Sequence, residues 1–143
     1  DQQPEALEHL RQRIPPAVRN HLTGQIATFD RVQLPQADLV WSSLSLPFCP
    51  PEHFARLWAE ILHALKPGGR FAGDLFGERS YWFQEKGMTF HTEEQARALL
   101  APLQIEFFEV EDRERQTATQ GARWNHAFSI IARMPEGVKD ENL

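Results

Sequence analysis

The sequence predicts an α/β domain with a mainly parallel sheet whose last two strands pair antiparallel. Three observations predict it. Ala37–Ser43 is a nearly continuous apolar run bounded by turn residues, the pattern of a strand buried on both faces. After Pro50-Pro51, the residues Phe54, Leu57, Trp58, Ile61, Leu62 and Leu65 recur at spacings of three and four, which makes the stripe of an amphipathic helix. Strand-like and helix-like segments alternate until two β-rich runs, joined by a polar link, end the pattern. That alternation argues for a parallel sheet with an antiparallel edge.

Taken in order, residues 4–14 read as a helix, with Pro4 suited to the first turn and Leu7, Leu10 and Ile14 at helical spacing. Pro15-Pro16 stop it. A short helical stretch is expected over Ala17–Leu22 and a short strand over Gln25–Phe29. The helix that follows Pro51 ends at Lys66-Pro67-Gly68-Gly69, a cation at the negative helix end and then a turn. Arg70–Leu75 is the next strand. Thr92-Glu93-Glu94-Gln95 has the form of a capping box, opening a helix to about Leu100. Ile105–Glu111 and Trp124–Arg133 are strands rich in Phe, Val and Ile, with Asp112–Arg123 as the polar connection. Residues 135–143 read as a frayed tail. The whole of 1–143 is expected to be one domain or part of one.

Composition narrows the function. With 41% hydrophobic and 24% charged residues, the chain lacks the signature of disorder. Its net charge is −5 and it has no basic cluster, so a small-molecule substrate is favoured over nucleic acid. The single cysteine, Cys49, excludes an internal disulfide and a multi-cysteine metal site. With no apolar run of membrane-spanning length and no signal-peptide pattern, the reading is cytoplasmic, without a membrane partner.

One block carries a family resemblance. Residues 37–77, ADLVWSSLSLPFCPPEHFARLWAEILHALKPGGRFAGDLFG, resemble the fourth strand, following helix, Leu-Lys-Pro-Gly-Gly turn and fifth strand of the class I methyltransferases that use S-adenosylmethionine. Residues 30–35, DRVQLP, are similar to the loop after that family's third strand. TFHTEE (89–94) and WNHAFSIIAR (124–133) resemble its small-molecule branch, which includes tellurite-resistance and thiopurine-type enzymes. The resemblance implies a Rossmann-like sheet, S-adenosylmethionine as cofactor and a small acceptor. It also implies a glycine-rich loop after the first strand, where backbone approaches the cofactor. No Gly-x-Gly is present, and Gly68-Gly69 stand in the wrong context, after a helix and before a strand. The expectation is therefore an N-terminally truncated chain, an incomplete enzyme lacking roughly 40–60 residues of strand–helix–strand. Such a chain should bind the cofactor poorly and self-associate as a homo-oligomer that covers exposed sheet edges.

The resemblance also implies roles. Asp1 would accept from both ribose hydroxyls, and Gln2 would lie against the adenine. Asp30 would accept from the adenine amino group and the Arg31 N–H would reach a ring nitrogen. Ser42, Ser43 and Leu44 would face the methionine part of the cofactor at the carboxyl edge of the sheet. Pro47 and Phe48 are expected in the acceptor-pocket wall, Trp82 and Phe83 in an apolar lid. Methyl transfer from a sulfonium is an in-line displacement of an activated group, so positioning and water exclusion matter more than a catalytic constellation. His91 and His126 are the candidates for a base or substrate ligand, and no metal site is expected. Each residue also has a plainer reading: solvated charge, turn, strand exit or packing. Two other functions stay open, a non-catalytic binding or scaffold domain and a nicotinamide-dependent oxidoreductase on a related sheet.

Overall fold

A computed structural model describes residues 3–137. The roles expected of Asp1 and Gln2, and residues 138–143 of the tail expected at 135–143, lie outside the described residues. The chain divides into two compact units, Asp1–Gln33 and Leu34–Leu143.

In the first unit, α1 (Pro4–Arg13) starts on its proline, with Glu5 in the first turn and Arg11 and Arg13 in the last. These charges complement the helix dipole. The chain turns extended at Ile14, as Pro15-Pro16 require. α2 is a single turn, Pro16–Arg19, shorter than the stretch expected. Gln25–Phe29 is not a strand. Ile26 stays 57% exposed, so little apolar burial favours a ladder there. The chain turns instead, the Thr28 carbonyl accepting the N–H groups of Arg31 (3.1 Å) and Val32 (2.9 Å).

The second unit is built on a five-stranded sheet: β1 (Ala37–Ser42), β2 (Leu65–Gly77), β3 (Phe90–His91), β4 (Gln104–Thr117) and β5 (Gly121–Arg133). The order is β1-β2-β5-β4, with β3 paired to β2. β1 and β3 run parallel to β2, whereas β5 is antiparallel to both β2 and β4. This is the mixed α/β sheet of a Rossmann-like fold. The two-residue β3 has no counterpart in the sequence reading.

Helix α3 (Pro51–Ala64) buries Phe54, Leu57, Trp58, Ile61 and Ala64, the stripe its sequence spacing requires. α4 (Glu93–Leu99) opens with the expected capping box: Thr92 Oγ1 accepts the Gln95 N–H and Gln95 Oε1 accepts the Thr92 N–H. Both helices cover one sheet face. Trp58 packs edge-on against Phe71 at 5.0 Å and donates its indole N–H to the Leu99 carbonyl at 3.0 Å. Phe71, Leu75, Phe128, Ile130 and Ala132 are buried on this face.

Three expectations need correction. β1 is not buried on both faces. Among the described residues it pairs with β2 alone, and Leu39 and Trp41 are 58% and 74% exposed. Leu65 belongs to β2 rather than to the helix. The Lys66–Gly69 turn is a bulge inside that strand, since the two steps from Ala37 to Leu39 face five from Leu65 to Arg70. Gly68 takes φ +79° there, a conformation glycine adopts without steric cost, and Gly68 and Gly69 bond both polar groups of Met134. Finally, most of Asp112–Arg123 is not a loop. β4 and β5 form one long hairpin, paired from Gln104↔Arg133 to Thr117↔Gly121. Among the described residues, no helix is long and apolar enough to cross a membrane.

Candidate functional site

On the sheet face opposite α3 and α4, beside the carboxyl end of β1, lies a cavity of about 480 Å³. Side chains alternate across a strand, so Asp74 and Phe76 of β2, Glu111 and Arg115 of β4, and Asn125 and Ser129 of β5 all reach this face. Leu44, Phe48, Tyr81 and Trp82 come from the loops that follow β1 and β2.

Those loops are held in place. Leu44 has φ +49°, a region sparsely used by leucine and common where a fold serves a site. A 3₁₀ turn, Leu46–Phe48, follows. Thr89 fixes it, its N–H donating to the Pro47 carbonyl at 2.8 Å and its hydroxyl to the Cys49 carbonyl at 2.6 Å. Phe48 then points outward and packs edge-on against Phe76 and Trp82, with ring centroids 6.4 and 6.2 Å away. The Tyr81 N–H bonds the Trp124 carbonyl and the Trp82 N–H bonds Ser80 Oγ, so the aromatic segment is anchored to β5.

The opposite wall is polar. Ser129 Oγ donates to Asp74 Oδ1 at 3.0 Å. Glu111 accepts from Arg113 and Asn125 and pairs with Arg115 at 3.1 Å. Burial would raise the Glu111 pKa, but these bonds and charges outweigh it and hold the carboxyl below its usual value.

The structure gathers some of the expected residues and disperses others. Leu44, Phe48 and Trp82 line the cavity. Ser42 and Ser43 lie at the carboxyl end of β1, and Ser42 Oγ is buried with no hydrogen-bond partner among the described residues. Pro47 is buried beneath the loop, and Phe83 stacks edge-on against Phe90 outside the cavity. In the first unit, Asp30 lies 3.6 Å from the Arg31 guanidinium, and the Arg31 N–H is engaged by Thr28 within its own turn.

Neither histidine reaches the cavity. His91 is buried against Phe54 (4.8 Å) and lines a shallow depression with Gln95. Burial lowers its pKa to about 4, and its Nδ1 has no partner among the described residues. His126 stands on the helix-covered face, where its Nδ1 accepts the Arg79 N–H at 3.1 Å and its ring packs on Phe128. Sequence reasoning missed Asp74, Phe76, Tyr81, Glu111, Arg115, Asn125 and Ser129. A lone acid inside the apolar stretch FAGDLFG was the one available signal. Among the described residues, no cluster of His, Cys, Asp and Glu could hold a metal ion.

A Rossmann-like sheet with a cavity beside its carboxyl edge has the geometry in which open α/β domains receive ligands. The family model described as a methyltransferase domain matches residues 1–73, more than half of the 143, and the chain belongs to that family. Solved structures share the fold. A SAM-dependent methyltransferase from Methanosarcina mazei is 21% identical with a TM-score of 0.66, over 95% of this chain and 80% of that one. TehB from Haemophilus influenzae is 12% identical with a TM-score of 0.73, over 94% of this chain and 48% of that one. The N-methyltransferase NodS from Bradyrhizobium japonicum, in complex with S-adenosyl-L-homocysteine, is 15% identical with a TM-score of 0.67, over 95% and 65%. At these identities the likeness is one of fold, and this chain spans only part of each neighbour's length. No curated protein matches the chain.

Proposed function

We propose that this chain takes part in methyl transfer from S-adenosylmethionine to a small-molecule acceptor held in the cavity. The observation that carries the reading is the cavity itself. It opens where the exit loop of β1 leaves the sheet, with an anchored aromatic wall on one side and polar strand residues on the other. When bound, S-adenosylmethionine supplies an activated methyl group on a sulfonium.

The residues present suit such a ligand. The left-handed Leu44 sits at the carboxyl end of β1 and lines the cavity, where polar groups of a bound molecule are received in open α/β sheets, while the Ser42 side chain lies on the other face of the sheet, level with Gly73. Ser43 and Leu44 would face the methionine part; ribose and adenine are the groups that the family resemblance assigns to Asp1, Gln2 and Asp30. The work left to the chain is orientation and water exclusion. Phe48 and Trp82 perform the second on the acceptor side. The resemblance of residues 89–94 and 124–133 supports placement in the small-molecule branch with tellurite-resistance and thiopurine-type enzymes.

The test is calorimetric titration of S-adenosylhomocysteine into the full natural protein. Saturable micromolar binding is expected, with Asp30→Ala weakening it about tenfold, as loss of a hydrogen bond to a charged group does. An absence of binding would sink the reading and leave a non-catalytic domain on a methyltransferase fold.

A further inference from the structure

The hairpin end of the cavity carries more positive charge than its own walls balance. Arg115 of β4 and Arg123 of β5 stand directly opposite each other in the ladder, and both line the cavity. Like charges facing across a ladder repel, so an anion placed between them is attracted by both. On this face of the hairpin, from Glu111 to Thr117 and from Gly121 to Ala127, alternation brings Arg113, Arg115 and Arg123 together against the one carboxylate of Glu111.

Glu111 is already committed. Its Oε1 takes the Nε groups of Arg113 at 2.7 Å and Arg115 at 3.1 Å, and its Oε2 accepts the Asn125 amide at 2.6 Å. Arg115 is engaged there through Nε, which leaves its terminal nitrogens to a ligand. Arg123 donates to the Ala122 carbonyl at 3.2 Å and forms no ion pair among the described residues. The other acids of this face, Asp74 and Glu109, lie level with Ser129. Six residues of β5 separate Ser129 from Arg123, roughly 20 Å along the strand and beyond the ~8 Å Debye length at physiological salt. Asp112 and Glu114 point to the opposite face, where Asp112 pairs with Arg79 at 3.1 Å.

The ends of the cavity therefore differ. Leu44 and Phe48 follow β1 at one side of the sheet, whereas the arginines belong to β4 and β5 at the other. Tyr81 and Trp82, both partly exposed, line the same cavity and offer apolar surface to the body of a ligand. We propose that the acceptor is an organic acid, its apolar body along Phe48 and Trp82 and its carboxylate between Arg115 and Arg123. Guanidinium suits that anion because its parallel N–H groups match the paired carboxylate oxygens. Holding the carboxylate at the hairpin leaves the far end of the molecule toward the carboxyl edge of β1, where the methyl group would be offered. The acceptor role rests on the methyltransferase reading, whereas recognition of the anion does not.

Three probes of one shape test it on the full natural protein, read by NMR shifts of the Trp82 indole: 4-phenylbutyrate, 4-phenylbutanol and 4-phenylbutylamine. The carboxylate should bind at least about tenfold more tightly than the alcohol, as a charge-assisted pair does, and the amine more weakly than the alcohol. Added salt should erode the advantage of the carboxylate. Arg123→Gln, at an exposed position, should remove most of the preference with the urea midpoint unchanged, and Arg123→Lys should restore part of it. Arg115→Gln combined with Arg123→Gln should abolish it. Equal binding of acid and alcohol, or a preference that survives the double substitution, overturns the proposal. S-adenosylhomocysteine binding without acid preference removes the anion site and leaves the methyltransferase reading intact. Acid preference without S-adenosylhomocysteine binding keeps the anion site and removes its acceptor role.

Discussion

The two faces of the sheet differ sharply although the same strands build both. Under α3 and α4, Phe71 and Phe128 are fully buried and Leu75 and Ile130 nearly so. Across the backbone, Leu39, Trp41, Phe107 and Ile131 remain between 37% and 74% exposed, and the polar cavity residues share their face. Strand alternation permits this division of labour. One register of side chains stores stability, and the other stays open to solvent.

The largest break in that comparison should come from Phe71→Ala. Removing a ring from the closed face should cost about 3–5 kcal/mol, read as a drop in the urea midpoint. His91, at the margin of the same core, gives a pH-dependent effect. Its folded pKa of about 4 lies below the ordinary 6.5, so the unfolded chain takes up the proton first as pH falls. Stability should therefore be complete above pH 6.5, decline between 6.5 and about 4, and level off below. The total loss is about 3 kcal/mol at most. Urea titrations across this range should show the slope in the natural protein and not in His91→Phe. Thr92→Ala removes one half of the capping box and should cost about 1 kcal/mol, read from thermal unfolding. On the open face, Trp41→Lys should change stability by less than about 0.5 kcal/mol yet weaken self-association through the β1 edge. Light scattering checks it: a protein that is monomeric before substitution would rule out that edge as a contact.

Legibility in the sequence followed the same division. α3 was readable because its covered face demands apolar residues at one period, and Thr92 because a cap is local chemistry. The far half of the hairpin was not. From Glu111 to Arg115 every side chain is charged, and ion pairs within that run satisfy the strand without any apolar alternation. β1 was misread for the opposite reason: an apolar strand with one paired neighbour among the described residues looks in sequence like a central one. Phe48 and Trp82 could be nominated as large apolar side chains in loops beside the expected site. Asn125 and Ser129 could not, since what unites them with Asp74 is the antiparallel pairing of β5 with β2 and β4, which no local pattern records; only Asp74 had a local sign, as the one acid in FAGDLFG.

The strand order has a consequence for how the protein is made. β5 is the last of the described strands in sequence and yet lies between β2 and β4. A ribosome delivers β1, α3 and β2 first, and at roughly 5–20 residues per second several seconds pass between the emergence of Gly77 and that of Arg133. Throughout that interval the edge of β2 that will receive β5 waits with its ladder groups open, the state in which a nascent sheet pairs with a neighbouring chain. Slow translation beyond Gly77 should therefore lower the yield of soluble protein more than an equal pause placed after Arg133.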